Sequence, residues 1–164
     1  MTDNNIQHLQ DLLQNFRTAM LITHHAGGDV RARPMTLAEV DMGAELWFAT
    51  SLSSAKVDEI ERNSSVLVTL QDSTRYVSVA GRCELTRDRD MIEKLWSDAW
   101  LIWYPKGKND PDLVLLRIVP ERGEYWDMSG TTGVRFLWEA ATSFFRGEKV
   151  QPVEGAHGVV HPEM

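Results

Sequence analysis

Apolar positions along the chain follow two rhythms, one of helical period and one that alternates residue by residue. Ile6, Leu9, Leu12, Leu13 and Phe16 recur at helical spacing and predict a short amphipathic helix over residues 5–16. Residues 18–25 read as a strand, Ala26-Gly27-Gly28-Asp29 as a hairpin turn, and residues 30–37 as the return strand. Pro34 has no N–H to give to a ladder, which makes this return an edge, a bulge or a strand end. A turn at Asp41-Met42-Gly43-Ala44 leads into the stretch around which the rest is organised. There Leu46 and Phe48 share one strand face and Trp47 and Ala49 the other. After Thr50 the pattern passes through Ser51, Ser53 and Ser54 into Val57 and Ile60 at helical spacing, predicting a helix over 54–62 with Ser54 as its N-cap.

The second half continues the alternation. Ser65–Leu70 is a β-rich run, and Tyr76–Thr86 places Val77, Val79, Gly81, Cys83 and Leu85 on one face. Thr86 is positioned to cap a helix over 87–99 carrying Met91, Ile92, Leu95, Trp96 and Ala99. Residues 105–111 form a loop rich in proline and glycine, and Leu113–Val119 and Glu124–Met128 are further strands. Residues 133–146 predict an amphipathic helix with Val134, Leu137, Ala141, Phe144 and Phe145 inward. Beyond residue 150 the chain is expected to be a loosely ordered tail, 151–164, behind a single domain, 1–150. Regular βα alternation is absent, so a parallel Rossmann sheet is excluded. The pattern predicts a mainly β (α+β) fold, an antiparallel barrel of about six strands with short peripheral helices.

Composition narrows the function. A formal charge of −7 argues against general binding of nucleic acid or anionic membrane, so any anion site must be local. Cys83 is the only cysteine, leaving no internal disulfide and no thiolate metal cluster. No apolar run approaches the roughly 20 residues that span a bilayer, and residues 2–5 lack the features of a signal peptide. The expectation is a cytoplasmic protein. Six tryptophans are many for 164 residues, and some are expected in a ligand cleft or a subunit interface.

Most familiar chemistries find no support. His24 and His25 are adjacent in a strand and point to opposite faces, and no metal-ligand spacing is present. There is no Gly-x-Ser-x-Gly elbow, and Cys83 reads as a small core residue. The carboxylates read as solvated helix faces and turns. What remains is a convergence at two strand ends, Arg33-Pro34-Met35-Thr36 and Thr50-Ser51 followed by Ser54-Ala55-Lys56. A guanidinium, an ammonium, several hydroxyls and a helix N-terminus are the groups a phosphate requires. An ordinary capped surface helix satisfies the same spacing.

Phe48-Ala49-Thr50-Ser51-Leu52-Ser53-Ser54-Ala55-Lys56 resembles the flavin-phosphate segment of the pyridoxamine 5′-phosphate oxidase-like, FMN-binding split barrels. Arg75–Leu85 is similar to the strand that follows there. The bacterial general stress protein branch resembles the chain more closely still. It shares Arg33-Pro34-Met35, Trp47-Phe48, Lys56-Val57, Tyr104-Pro105-Lys106-Gly107, Asp110-Pro111 and Glu124-Tyr125-Trp126-Asp127. The resemblance covers roughly residues 5–145. It implies a six-stranded split barrel, a homodimer, and FMN in each of two clefts between subunits. By position, Arg33, Ser54 and Lys56 would hold the phosphate. Pro34, Met35, Thr36, Ala49, Thr50 and Ser51 would line the ribityl chain and ring, Gln71 and Tyr76 would touch the ring, and Trp126 would stack beside it.

Two departures bear on activity. The true oxidases carry an arginine where this chain has Ala55, and a C-terminal Arg-x-His segment where it has Gly158-Val159-Val160-His161. Oxidation of pyridoxamine phosphate is therefore not expected. The expectation is an FMN-dependent oxidoreductase of a small substrate. The alternatives are a flavin-binding stress or redox-sensing protein without turnover, or a split barrel holding a deazaflavin or haem. Haem is disfavoured, since neither strand histidine has a reason to be axial.

Overall fold

The computed structural model describes residues 2–162. Eight strands form one sheet: β1 (Thr18–His24), β2 (Val30–Thr36), β3 (Glu39–Val40), β4 (Leu46–Ser51), β5 (Ser65–Gln71), β6 (Arg75–Thr86), β7 (Leu113–Asp127) and β8 (His157–Val160). Their order is β2-β1-β5-β6-β7-β4-β3, with β8 added on β7, and every pairing is antiparallel. Six are long, close to the expected number, but the two strands expected at Leu113–Val119 and Glu124–Met128 are one continuous β7 running through Pro120; β3 has two residues and β8 four. The helices are α1 (Thr2–Leu13), α2 (Ala55–Arg62), α3 (Arg89–Leu95) and α4 (Gly130–Arg146). No helix among the described residues is long and apolar enough to cross a membrane.

The sheet curls into a half-barrel at β6 and β7, where the register shifts between Ala80 and Gly81. A bulge of this kind sharpens strand twist. Only glycine fits at Gly81, because a Cβ there would stand 2.2 Å from the Val119 carbonyl oxygen. The curl brings β2, at one end of the sheet, close to β4 near the other without pairing them. Pro34 lies on β2, the sheet edge, where a missing N–H breaks no ladder bond.

The concave face buries Leu21, Leu46, Phe48, Val68, Val79, Leu116 and Ile118, and α1 closes it with Leu9 and Leu13. Each such side chain contributes roughly 1.5–3 kcal/mol by leaving water. A second cluster on the outer face packs α3 and Tyr104 against Trp47, Leu113 and Leu115. Cys83 is buried in the main core, and that burial, with Glu84 nearby, pushes its thiol pKa up to about 12.

Four expectations need correction. Thr86 is still part of β6, opposite Leu115, and its hydroxyl accepts from Asp88 N–H; the cap of α3 is Asp88, which accepts from Met91 N–H at 2.8 Å. The helix expected over 87–99 ends at Leu95, and a 3-10 turn covers Asp98–Ile102. Residues 157–160 are not loosely ordered: Val160 is buried, and β8 pairs with Gly123–Trp126 of β7. Finally, Val134, Leu137, Ala141, Phe144 and Phe145 of α4 are exposed, because no other described element packs closely along that face. The periodicity was correct; its implied partner is absent from the chain's own fold.

Candidate functional site

Beyond Ser51, the β4 chain turns sharply into α2. Leu52 N–H donates to the Asp112 carbonyl at 2.7 Å, and Ser53 N–H to the Asp112 carboxylate at 2.9 Å. This anchors the start of α2 to the chain just ahead of β7. From α2, Glu59 reaches under the helix toward β1 and β2. It is only 2 % exposed, which corrects its reading as a solvated carboxylate. Thr23 donates its hydroxyl hydrogen to Glu59 Oε2 at 2.6 Å, and Arg33 Nη2 donates to the same oxygen at 2.7 Å. Arg31 Nη1 donates to Oε1 at 3.2 Å, and His25 Nδ1 stands 3.4 Å from it. Burial alone would raise the Glu59 pKa. The Thr23 and Arg33 hydrogen bonds and the charges of Arg33 and Arg31 outweigh it, so the carboxyl sits below its ordinary 4.5.

Arg33 is thereby pre-positioned. One N–H goes to Glu59 and one to Thr23, and a guanidinium has five. The remaining donors are available to an anion. Lys56, in the first turn of α2, donates to Thr50 Oγ1 at 3.0 Å. Its pKa is lowered, chiefly by burial and then by the Arg33 charge, with Glu59 pulling the other way. Two cations thus repel one another across a partly dry space.

Ser54 supplies the third feature. It occupies the N-cap position of α2 with extended backbone, yet its side chain caps nothing. This corrects the expected N-cap bond: Val57 N–H donates to the Ser54 carbonyl, not to its hydroxyl. The Ser54 Oγ is buried without a hydrogen-bond partner. A buried hydroxyl left unpaired costs on the order of 1–3 kcal/mol. An oxyanion here would accept from Ser54, Arg33 and Lys56, and would relieve the repulsion between the two cations. The donor set therefore fits a phosphate monoester.

The other predicted residues divide into two groups. Thr50 lies with Phe48 on the concave face, and Met35 packs half-buried against the core. Ala49 lies on the outer face beside the Trp47 cluster, and Ser51 lies close to Tyr104 and Asp112. Pro34 and Thr36 are exposed along the edge strand. Gln71, Tyr76 and Trp126 form one cross-strand row, since Gln71 pairs with Tyr76 and Tyr76 with Trp126. All three are exposed on the outer face, opposite the buried Leu70, Val77 and Tyr125. Trp126 stacks on His157 at 5.1 Å between ring centroids, and His157 Nε2 lies 3.0 Å from Glu124.

One chain does not bring these groups together. Thr50 and Ser51 pair with Val114 and Leu113 at the start of β7, whereas Trp126 stands at its far end. Arg33 pairs with Leu21 and shares its concave face. Sequence reasoning missed Glu59, Thr23 and Asp112. The available signal was Arg31 and Arg33, two cations on one strand face, which imply a buried anion beneath the adjacent helix.

The family model described as "Pyridoxamine 5′-phosphate oxidase like" matches residues 4–151. General stress protein 26 of Bacillus subtilis is 32 % identical over 120 residues, covering 70 % of this chain and 83 % of that protein. The crystal structure of a putative general stress protein 26 from Jannaschia sp. CCS1 superposes with a TM-score of 0.74 at 26 % identity, over 96 % of this chain and 99 % of that one. The general stress FMN/FAD binding protein of Xanthomonas citri superposes with a TM-score of 0.65 at 26 % identity, over 77 % and 92 %.

Proposed function

The chain belongs to the pyridoxamine 5′-phosphate oxidase-like family, within its general stress protein 26 branch, and from that premise we propose that it binds FMN and acts as a flavin-dependent oxidoreductase on a small substrate. The observation that carries this reading is the buried, partnerless Ser54 hydroxyl beside a desolvated Lys56 and a pre-positioned Arg33. Arg33, Ser54 and Lys56 would hold the phosphate, with Thr50 keeping the Lys56 ammonium in place. Pro34, Met35, Thr36, Ala49 and Ser51 would follow the ribityl chain away from it. When bound, the flavin ring supplies the electron-transfer chemistry, and the protein's part is placement and exclusion of water. The split between the concave-face cations and the Gln71-Tyr76-Trp126 row supports a homodimer in which each cleft takes the second group from the other copy.

Ala55 adds no cation to the site, and the last strand, β8, is spent on pairing with β7. Both features support a substrate other than pyridoxamine phosphate. A cytoplasmic setting belongs to the same proposal. A second reading, a flavin-binding stress or sensing protein without turnover, draws on Glu59. The carboxylate nearest the site is committed to Thr23 and Arg33 and is not free to act as a base. Stopped-flow reduction by NADH and NADPH separates the two. Fast, saturable bleaching of the flavin supports the oxidoreductase, and no reduction by either donor supports the binder. Protein that purifies colourless and takes up no FMN on titration would remove both.

A further inference from the structure

α4 is a 17-residue helix whose apolar face is exposed and along which no other described element packs closely; Ser143, on the opposite face, is its buried residue. In proteins, most of the stability of such an amphipathic helix comes from packing of its apolar face. Leu137, Trp138, Phe144 and Phe145 line that face. The same chain carries a second uncovered patch, Ile102 and Trp103, where the 3-10 turn after α3 reaches solvent. All six side chains are between 69 % and 87 % exposed.

The two patches lie at different ends of the molecule. α4 begins three residues after Asp127 ends β7, beside the Trp126 row. The Ile102-Trp103 turn leads directly into Tyr104, whose side chain lies close to Ser51, at the end of β4 that leads into the cation site. We infer that α4 docks on the Ile102-Trp103 turn of a second copy of this chain, and that the second copy's α4 returns the contact. The inference rests in part on the flavin reading, which already requires the Trp126 end of one copy to meet the Ser51 end of the other. A twofold pair makes each such contact twice. With aromatics at roughly 150–250 Å² apiece, the six side chains expose on the order of 800 Å² per chain. A pair covering both patches twice removes about 1,600 Å², the size of a standard stable interface. Charge disfavours a membrane as the occupant: α4 carries Arg135, Glu139 and Arg146 and no lysine, and the chain is at −7.

The test uses the full-length protein with FMN added. In sedimentation velocity the parent is expected to be a dimer, and F144S/F145S to weaken the dimer about a hundredfold, since buried aromatics dominate interface energies. Far-UV circular dichroism checks that the variant is folded. In a second arm, I102C and F144C proteins are mixed and oxidised. Cys83 is buried and does not compete. A covalent dimer containing one of each is expected, well above the yield from either variant alone. A parent dimer that F144S/F145S leaves intact, with no mixed cross-link, overturns the docking while flavin binding, read by fluorescence on the same samples, stands. A monomeric parent that retains flavin overturns both the docking and the two-copy cleft. Loss of binding to anionic lipid vesicles in F144S/F145S, with unchanged oligomeric state, overturns the docking in favour of a membrane surface.

Discussion

Glu59→Gln tests the electrostatic foundation of the site without touching any group assigned to the ligand. The substitution keeps size and shape and removes one buried negative charge. In the parent, that charge accepts from Thr23 at 2.6 Å and from Arg33 at 2.7 Å inside the fold. Charge-assisted bonds of this kind are worth roughly 1.5–3 kcal/mol each, and breaking a buried pair by removing one partner costs about 3–5 kcal/mol. Glutamine still accepts one hydrogen bond, and Arg31 is half exposed and adds little. The expected loss of apoprotein stability is therefore about 3 kcal/mol at pH 7, read from the urea midpoint at unchanged slope. The pH dependence supplies a second reading. The folded pKa of Glu59 is depressed, so its contribution is complete above the ordinary 4.5 and is lost as pH falls through the folded value. The parent should lose stability over that acid window, and Glu59→Gln should lose distinctly less. With Arg33→Gln, the double variant should lose less than the sum of the singles, because both act on one pair. A loss below about 1 kcal/mol, or strict additivity, would show that solvent screens this cluster and that Arg33 is not held by it.

Four further outcomes follow from the site and its frame. Lys56→Ala should weaken FMN binding about ten- to a hundredfold and leave riboflavin binding unchanged, one charge-assisted contact being lost; equal losses for both ligands would make Lys56 a fold residue. Because the folded Lys56 pKa is lowered, the unfolded chain binds the extra proton, so the Lys56 contribution to apoprotein stability should rise with pH up to about 10.5, against the fall that the buried Cys83 thiol brings above its ordinary 9.0; in denaturation at successive pH values Lys56→Met should lose only the rising contribution. Ser54→Ala should stabilise the apoprotein by about 1 kcal/mol by removing an unpaired hydroxyl, yet lower FMN affinity; a destabilised apoprotein would show that the hydroxyl has a structural partner. Gly158→Val should lower the thermal midpoint, since even a Cβ there stands 2.5 Å from the Tyr125 ring; an unchanged midpoint would mean that β8 adds nothing to the fold.

Strands β5 and β6 were legible because they bury one face and leave the other more open, with Val77, Val79 and Cys83 on the buried face of β6. Pro34 narrowed β2 to an edge, a bulge or a strand end, and the sheet order makes it an edge. α4 was misread for an instructive reason. Spacing reveals that Leu137 and Phe144 share a stripe but not which molecule covers it, and inside one chain nothing does. Ser54 was misread because a serine before a helix favours capping, a local rule, while its hydroxyl here caps nothing and is buried without a partner. Glu59 was misread because its burial depends on Arg31 and Arg33, more than twenty residues away in sequence and adjacent only after the sheet curls. Strand β8 escaped because its four residues carry too little alternation to outweigh the surrounding glycines and prolines.

The burial of Cys83 has a consequence for how the protein meets oxidants. Peroxides attack the thiolate, and a thiol with a pKa of about 12 is ionised to roughly one part in 10⁵ at neutral pH. No sulfenic acid should accumulate there, and no disulfide should join two copies of the native chain. An oxidant must therefore register, if it does, through a route other than the cysteine thiol. The purified protein should keep its properties in air without added reductant.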